Sequence, residues 1–406
     1  MKRQLDYSAI LQCALMDKNY LSSFRLSVVM KEKIDTKALQ KAVNDTINRF
    51  PLIYCKISKD SFWYYVENLD EFEIEKDSRV LFSSIDYKEV FNKAISILHD
   101  YKTISLEVFH SVTDGMGAMT FFKELISHYI DNINDKTNNK VFDIYSEEEL
   151  NDSYALINPL EYKKTKRFNI SKPFQFNNRS NNSTIQVKKY FLNLEEVKTY
   201  SRNKKCKINE LILAVFYKAI DKMKINNSHN ICLLSPINLR KHFNTKTLRN
   251  FVLTASVVFK DIHKNLSYEK LFEIIRAQMN KQDSKEYLGY EISKIAKLYK
   301  NPIIKISPLW LKSHIIKFIY KFVGEKSCMT VSNLGVIQFD DKLIEQYIEH
   351  FEASLSPRYS TPINCAVVSS NNKMVISITH DGLNQKLFES IESELKKLNI
   401  SYQVAD

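Results

Sequence analysis

The sequence of 406 residues has few of the residues that build metal, redox or phosphate-binding sites. Its 6 cysteines form no CxxC pair and no Cys/His cluster with metal-ligand spacing, which argues against a zinc site or a redox dithiol. We therefore expect buried free thiols and no bound metal. Glycine and proline are also rare, at 6 and 8 residues, and no glycine-rich phosphate loop occurs, so kinase and dehydrogenase classes are excluded.

Long apolar runs are missing as well. No stretch of about 18 consecutive apolar residues occurs, so no transmembrane helix is predicted. The start, Met-Lys-Arg-Gln-Leu-Asp-Tyr, leads into mixed polar sequence rather than an apolar signal core, and we expect a cytoplasmic location. The net charge of +12 suits phosphates, acidic proteins, anionic membranes or nucleic acid. Because no nucleic-acid-binding motif accompanies the lysines, we expect no nucleic-acid partner.

The length and the mixture of helix and strand patterns predict two lobes. A polar, Asn- and Lys-rich stretch separates them, which gives an N-terminal lobe at 1–165, a linker at 166–187 and a C-terminal lobe at 188–406. Neither half repeats a regular βαβ unit, so the predicted fold class is α/β with mixed sheets. Two lobes in one chain can complete a site between them, and we expect a monomer.

The segment whose residue types and spacing indicate a catalytic site is His110-Ser-Val-Thr-Asp114-Gly115. The alternation in Thr103–Phe109 predicts a strand leading into His110, and helical spacing begins after Gly115. A histidine at such a rigid turn can be aimed into a cleft as a general base. We expect Gly115 to adopt a backbone that other residues resist. Asp114 could orient His110, pair with a distant arginine, or simply cap the next helix, and spacing alone leaves these alternatives open.

Phe109-His-Ser-Val-Thr-Asp-Gly resembles the active-site motif of the chloramphenicol acetyltransferase-like superfamily, which includes peptide-synthetase condensation domains, plant BAHD acyltransferases and alcohol acetyltransferases. Five other segments resemble the family in the correct order: the first helix at Asp35–Pro51, the helix opening the second lobe at Lys207–Ala214, the strand end bearing a structural arginine at Pro236–Arg240, the crossover strand at Val331–Gly335, and the final strand at Ile378–Leu383. The resemblance implies two chloramphenicol acetyltransferase-like lobes that form a V-shaped pseudo-dimer with an active-site tunnel between them.

The resemblance also implies roles for individual residues. Asp114 would pair with Arg240 and hold the turn that Gly115 permits. Ser332 and Asn333 would line the tunnel or contact an oxyanion, within a crossover segment near 328–365. Phe109 stands where condensation domains usually have the first of two histidines, and it is assigned to the tunnel.

The implied reaction moves an acyl group from an acyl-CoA or carrier-protein thioester to an alcohol or amine acceptor. His110 would deprotonate the acceptor, without a metal, a permanent cofactor or a covalent acyl-enzyme. Phe109 in place of a histidine favours ester-forming relatives. The Asp-Phe-Gly-Trp-Gly motif of the plant group is absent, and Ser332-Asn-Leu-Gly is more similar to bacterial alcohol acetyltransferases and wax-ester synthases. Two alternatives stay open, an amide-forming condensation enzyme and a non-catalytic relative that binds a carrier protein or lipid.

Two other segments have weaker patterns. His380-Asp-Gly is predicted to be an ordinary turn between a strand and a helix. The stretch Pro308–Val323 is basic and amphipathic. It is predicted to pack on the core with its lysines extended to solvent, and the alternative is a peripheral membrane contact or an acyl-chain route.

Overall fold

The computed structural model describes residues 2–16, 22–77, 81, 89–135, 145–165, 173–176, 185–223, 229–323, 327–357, 361–380 and 385–405. The strands in these residues are β1 Lys2–Gln4, β2 Ser23–Met30, β3 Cys55–Lys59, β4 Tyr64–Asn68, β5 Glu75–Lys76, β6 Ile95–His99, β7 Thr103–Phe109, β8 Gln186–Asn193, β9 Ile231–Asn238, β10 Val252–Phe259, β11 Met329–Val336, β12 Ile348–Leu355, β13 Asn364–Ser370, β14 Lys373–His380 and β15 Tyr402–Ala405. The α-helices are α1 Tyr7–Leu15, α2 Thr36–Thr46, α3 Glu89–Asn92, α4 Gly115–Ile133, α5 Glu147–Leu150, α6 Ser153–Leu156, α7 Leu194–Asn203, α8 Ile208–Met223, α9 Arg240–Phe243, α10 Tyr268–Gln282, α11 Lys285–Lys300, α12 Pro302–Ile306, α13 Leu309–Val323, α14 Lys342–Glu345 and α15 Gln385–Lys397.

Two large mixed sheets organise the chain. A seven-stranded sheet has the order β10-β9-β11-β13-β14-β8-β15, and a five-stranded sheet has the order β12-β2-β7-β6-β5. A small third sheet pairs β1, β4 and β3. In the seven-stranded sheet β11 runs parallel to both β9 and β13, whereas the other pairs are antiparallel. The predicted α/β class with mixed sheets is confirmed.

Each large sheet has its own hydrophobic core. Helices α2 and α4 pack together over the five-stranded sheet, and α2 buries Leu39, Ala42 and Val43 on one face. Asp35 begins α2 by accepting hydrogen bonds from two backbone N–H groups of its first turn, as its sequence position predicts. Helices α8, α10 and α15 cover the seven-stranded sheet. The helices α11 and α13 of the second half contact α1, so they contribute to the first core.

Strand β12 crosses from the second half of the sequence into the first sheet. It pairs antiparallel with β2 from Ile348 opposite Met30 to Leu355 opposite Phe24. The resemblance assigned the crossover strand to Val331–Gly335, which instead forms β11 inside the seven-stranded sheet, whereas β12 lies within the wider predicted crossover segment near 328–365.

The predicted linker, 166–187, lies mostly outside the described residues, and its last two residues already belong to β8. The lobe limits and the V-shaped arrangement remain predictions. Among the helices that the structure describes, none combines the length and the apolar character needed to cross a bilayer.

Candidate active site

The segment from His110 to Asp114 forms the turn between β7 and α4. The backbone N–H of His110 donates to the carbonyl of Ser22, 2.9 Å away, which extends the pairing of β7 with β2 by one residue. At the other end, Oδ1 of Asp114 accepts hydrogen bonds from the N–H groups of Met116 and Gly117 at 3.1 and 3.0 Å. These bonds satisfy donors that a helix start leaves unpaired, so Asp114 fixes where α4 begins.

The same carboxylate joins the two halves of the chain. Arg240 donates to both oxygens of Asp114, with Nη1 2.9 Å from Oδ2 and Nη2 3.0 Å from Oδ1. The N–H of Phe251 also donates to Oδ2, at 2.8 Å. The side chains of Asp114 and Arg240 are only 5 % and 15 % exposed. Asp114 therefore combines two of the roles left open by the sequence, as a helix cap and as the partner of a nearly buried arginine.

The imidazole of His110 is held by a residue from the other half of the chain. Its Nδ1 lies 3.0 Å from Oδ1 of Asn250, while Nδ2 of Asn250 donates to the carbonyl of Ser111 at 3.3 Å. That second bond fixes the amide orientation and leaves its oxygen as the acceptor toward His110. In the neutral imidazole, this arrangement favours the tautomer with the proton on Nδ1 and the lone pair on Nε2. The ring of Phe24 packs edge-on against the imidazole, with centroids 5.1 Å apart.

Gly115 contributes to the site in a way other than the one expected. Its backbone is not in the left-handed region, so the expectation that Gly115 relieves backbone strain is wrong. A Cβ at Gly115 would instead lie 2.9 Å from Cδ2 of Leu334 in β11. Glycine thus permits the close approach of the α4 start to a strand of the other sheet.

A cavity of about 980 Å³ opens beside this turn. His110, Asp114 and Gly115 line it from the first half of the chain, and Arg240 and Asn250 line it from the second. Much of the remaining wall is apolar and includes Leu11, Leu15, Phe24, Met116, Leu253, Ile295, Leu298, Ile316 and Leu355. An apolar cavity of this volume with a few convergent polar groups is typical of a small-molecule site.

The other predicted tunnel residues divide into two groups. Ser332 and Asn333 both line the cavity, although Oδ1 of Asn333 accepts a hydrogen bond from the N–H of Gly335 at 2.9 Å. Phe109 does not line it, since its side chain is 2 % exposed and packs in the first core. Consecutive residues at a strand end point to opposite faces, so a buried Phe109 places His110 toward the cavity and corrects the tunnel assignment. His380 is buried against Phe388, and the two residues after it lie outside the described range.

Sequence reasoning missed three buried polar residues around Asn250. Asp6 is fully buried and caps α1, and burial raises the pKa of its carboxyl although Nε of Arg249 lies 3.6 Å from Oδ2. Burial likewise raises the pKa of Tyr154, whose hydroxyl donates to the carbonyl of Val252 at 2.7 Å. Their sequence signal is weak because Asp6 lies in the short connection between β1 and α1, and Tyr154 lies in a helix of four residues that is too short to show a periodic pattern. In the described part of the chain, no group of three or more His, Cys, Asp or Glu side chains is placed to hold a metal ion.

The fold and the turn that bears His110 both agree with the class of protein that the sequence predicts. Residues of both large sheets line the cavity, and the ion pair with Arg240 holds the turn that bears His110 and Asp114, an arrangement that agrees with the fold that the sequence predicts. No family model and no curated protein matches the sequence significantly.

Solved structures do match, over nearly the whole chain. The trichothecene 15-O-acetyltransferase TRI3 from Fusarium sporotrichioides is 13 % identical, with a TM-score of 0.59 and 98 % of this chain and 95 % of that chain covered. F. graminearum TRI101 complexed with coenzyme A and T-2 mycotoxin is 8 % identical, with a TM-score of 0.65 and 99 % of both chains covered. The condensation domain of the Monacolin K polyketide synthase MokA is 10 % identical, with a TM-score of 0.59 and 98 % and 96 % covered. At these identities the likeness establishes the fold.

Proposed function

We propose that this chain is an acyltransferase that moves an acyl group from a thioester to an alcohol, with His110 as the general base. The observation that carries the proposal is the hydrogen bond from His110 Nδ1 to Asn250 Oδ1 beside the cavity. This contact supports the tautomer in which Nε2 can accept a proton. Acetyltransferase and coenzyme A complexes among the structures of the same fold support the choice of reaction.

The proposed reaction needs one base and one set of oxyanion donors. Nε2 of His110 takes the proton of the acceptor hydroxyl as its oxygen attacks the thioester carbonyl. The resulting tetrahedral oxyanion is stabilised by hydrogen-bond donors of the cavity, for which Ser332 and Asn333 are the candidates. When the intermediate collapses, the thiolate leaves and receives the proton back from His110. Every proton is accounted for without a metal or a covalent acyl-enzyme.

We propose acyl-CoA as the donor, with a carrier-protein thioester as the alternative, in the cytoplasm and with the chain acting as a monomer. Lys241 supports the choice of acyl-CoA because it lies on α9, is exposed and lines the cavity, where it can meet a phosphate.

The proposal is tested by measuring free thiol released from a panel of acyl-CoAs, with and without pooled alcohols or amines. Release that depends on an alcohol, with the matching ester found by mass spectrometry, is the expected result. Amine-dependent release would indicate an amide-forming condensation enzyme instead. If neither acyl-CoAs nor acyl carrier proteins release thiol with any acceptor, the chain is a binding protein and the proposal is wrong.

Lys241→Glu is expected to raise the KM for acyl-CoA about tenfold, because it replaces an attraction to phosphate by a repulsion. Turnover of an acyl-pantetheine, which lacks the nucleotide phosphates, should be unchanged. Lys264→Glu makes the same charge change at an exposed position away from the cavity and serves as the control. Equal changes in KM in both variants would show that Lys241 does not contact the acyl-CoA donor.

Asn250 is proposed as a positioning residue for His110. Asn250→Ala removes the acceptor at Nδ1, and we expect turnover to fall about 10- to 100-fold because the imidazole loses its fixed tautomer and orientation. Asn250→Asp is the sharper test. A carboxylate at Nδ1 favours the protonated imidazole, so the acid limb of the kcat/KM profile should move to higher pH. If Asn250→Asp lowers activity but leaves the acid limb of the kcat/KM profile at the same pH, Asn250 has a purely structural role.

A further inference from the structure

The helices α11 to α13 present an unusual number of large apolar side chains to solvent. Trp310 and Phe318 are each 65 % exposed, and Ile306 is 73 % exposed. We call the set the apolar outer face, and its members are Leu298, Ile303, Ile306, Trp310, Ile315 and Phe318. These side chains come from three consecutive helices, and a group of exposed apolar residues marks an interaction site, because scattered single residues are ordinary whereas clusters are not.

The arrangement on α13 shows that this face is not left over from core packing. Leu309, Lys312 and Ile316 follow helical spacing on the inner side, where the first two are buried and the third packs against the first core. Trp310 and Phe318 lie eight residues apart, two helical turns, on the opposite side. The outer side of α13 therefore carries large aromatic side chains among the exposed His314 and Lys317, whereas a helix at a purely solvated surface is polar throughout its outer side.

Along the sequence of these helices, the charged side chains after Glu291 have one sign. From Ile292 to Val323 the sequence contains no Asp or Glu. The same stretch contains the lysines Lys294, Lys297, Lys300, Lys305, Lys312, Lys317 and Lys321. Lys297, Lys300 and Lys305 are exposed and lie close in sequence to the exposed isoleucines and Trp310. Lysines beside exposed tryptophan, phenylalanine and isoleucine are the composition of a surface that lies in the headgroup region of an anionic bilayer.

The apolar outer face also reaches the cavity. Leu298 belongs to both, because it is 51 % exposed and lines the cavity near Ile295 and Tyr299. On α13 the inward-facing Ile316 lines the cavity and the adjacent Ile315 is exposed. A docked bilayer would thus lie next to an apolar route into the cavity.

We propose that the apolar outer face docks the protein on an anionic lipid bilayer. Trp310 and Phe318 would enter the headgroup region, and Lys297, Lys300 and Lys305 would contact anionic headgroups. Docking is independent of the proposed reaction, so its test measures binding without turnover.

The chain contains only 2 tryptophans, which makes Trp310 a direct probe. In a Trp63→Phe background, vesicles of phosphatidylcholine and phosphatidylglycerol should shift the emission of Trp310 to shorter wavelength and protect it from aqueous quenchers. Co-sedimentation with these vesicles should be strong at low salt and weaker in pure phosphatidylcholine. Unshifted emission with anionic vesicles would overturn the proposal.

Matched variants separate the apolar and the charged contributions, with circular dichroism confirming the fold. Trp310→Ser with Phe318→Ser should weaken sedimentation by roughly tenfold or more, whereas Ile262→Ser, a change at a similarly exposed position on another surface, should not. Charge reversal of Lys297, Lys300 and Lys305 to Glu should weaken it on the order of 100-fold.

The same reversal at three exposed lysines elsewhere, Lys37, Lys41 and Lys264, is the control for overall charge. Equal losses in both triple variants would mean that the net charge of +12 acts unspecifically and would reject the docking surface. Concentration-dependent dimerisation that protects Trp310 without lipid would assign the face to a second copy of the chain and would equally reject the proposal.

Discussion

His110→Ala is expected to lower turnover by about 10²- to 10⁴-fold while the protein stays folded. The side chain lies at the cavity and removes a proton in the proposed reaction, so its loss affects the chemical step. The backbone bond from His110 to Ser22 does not depend on the side chain and remains. The measurement is the initial rate of alcohol-dependent thiol release under saturating acyl-CoA, accompanied by thermal unfolding of both proteins.

His99→Ala supplies the control for removing an imidazole, because His99 lies at the end of β6 and does not line the cavity. Its turnover should equal that of the unmodified protein. Turnover retained within about threefold in His110→Ala would show that another group accepts the proton.

Asp114→Ala is expected to lower the free energy of unfolding by about 3–5 kcal/mol and to abolish most activity. The change leaves Arg240 nearly buried without its anionic partner and removes the N-cap of α4. Because the turn that carries His110 ends at this residue, the position of the base is lost together with stability. Urea unfolding, followed by circular dichroism, measures the first effect.

The contribution of the ion pair can be separated from that of the cap. Asp35→Ala removes an aspartate that caps α2 through the same two kinds of backbone bond, and it should cost only about 1 kcal/mol. Arg240→Met combined with Asp114→Ala should recover part of the loss, since no buried charge is then unpaired. An Asp114→Ala variant as stable as Asp35→Ala would mean that the Arg240 contact contributes nothing.

Local signals account for the elements that sequence predicts well. The strict alternation before His110 predicts β7 with its observed bounds, and Asp35 marks the start of α2. The sequence pattern does not predict strand β12, because His350 and Glu352 interrupt its apolar residues. His350 is buried and Glu352 is 13 % exposed, with His350 Nε2 3.1 Å from Glu352 Oε1, and Lys189 binds the other oxygen at 2.7 Å. When the burial of a polar residue depends on partners that are distant in sequence, the local pattern of apolar residues does not predict it.

In the candidate site too, local sequence signals predict some residues and not others. His110, Asp114 and Arg240 lie in segments with a motif or a strand end, and the contact between the last two is present as predicted. Asn250 could not be predicted, because its role rests on a contact with a residue 140 positions earlier. The steric role of Gly115 depends equally on Leu334 of another sheet. A motif can point to a candidate catalytic side chain, whereas the residues that contact this side chain depend on the fold.

The late position of β12 in the sequence has a consequence for folding during synthesis. On the ribosome, β2 and β7 are complete some 240 residues before β12 begins. At about 5–20 residues per second, the edge of β2 that will pair with β12 stays open for roughly 10 to 50 s. An unpaired strand edge can pair with other nascent chains. The nascent N-terminal half must therefore be protected from such pairing until β12, the last strand of the five-stranded sheet, has been synthesised.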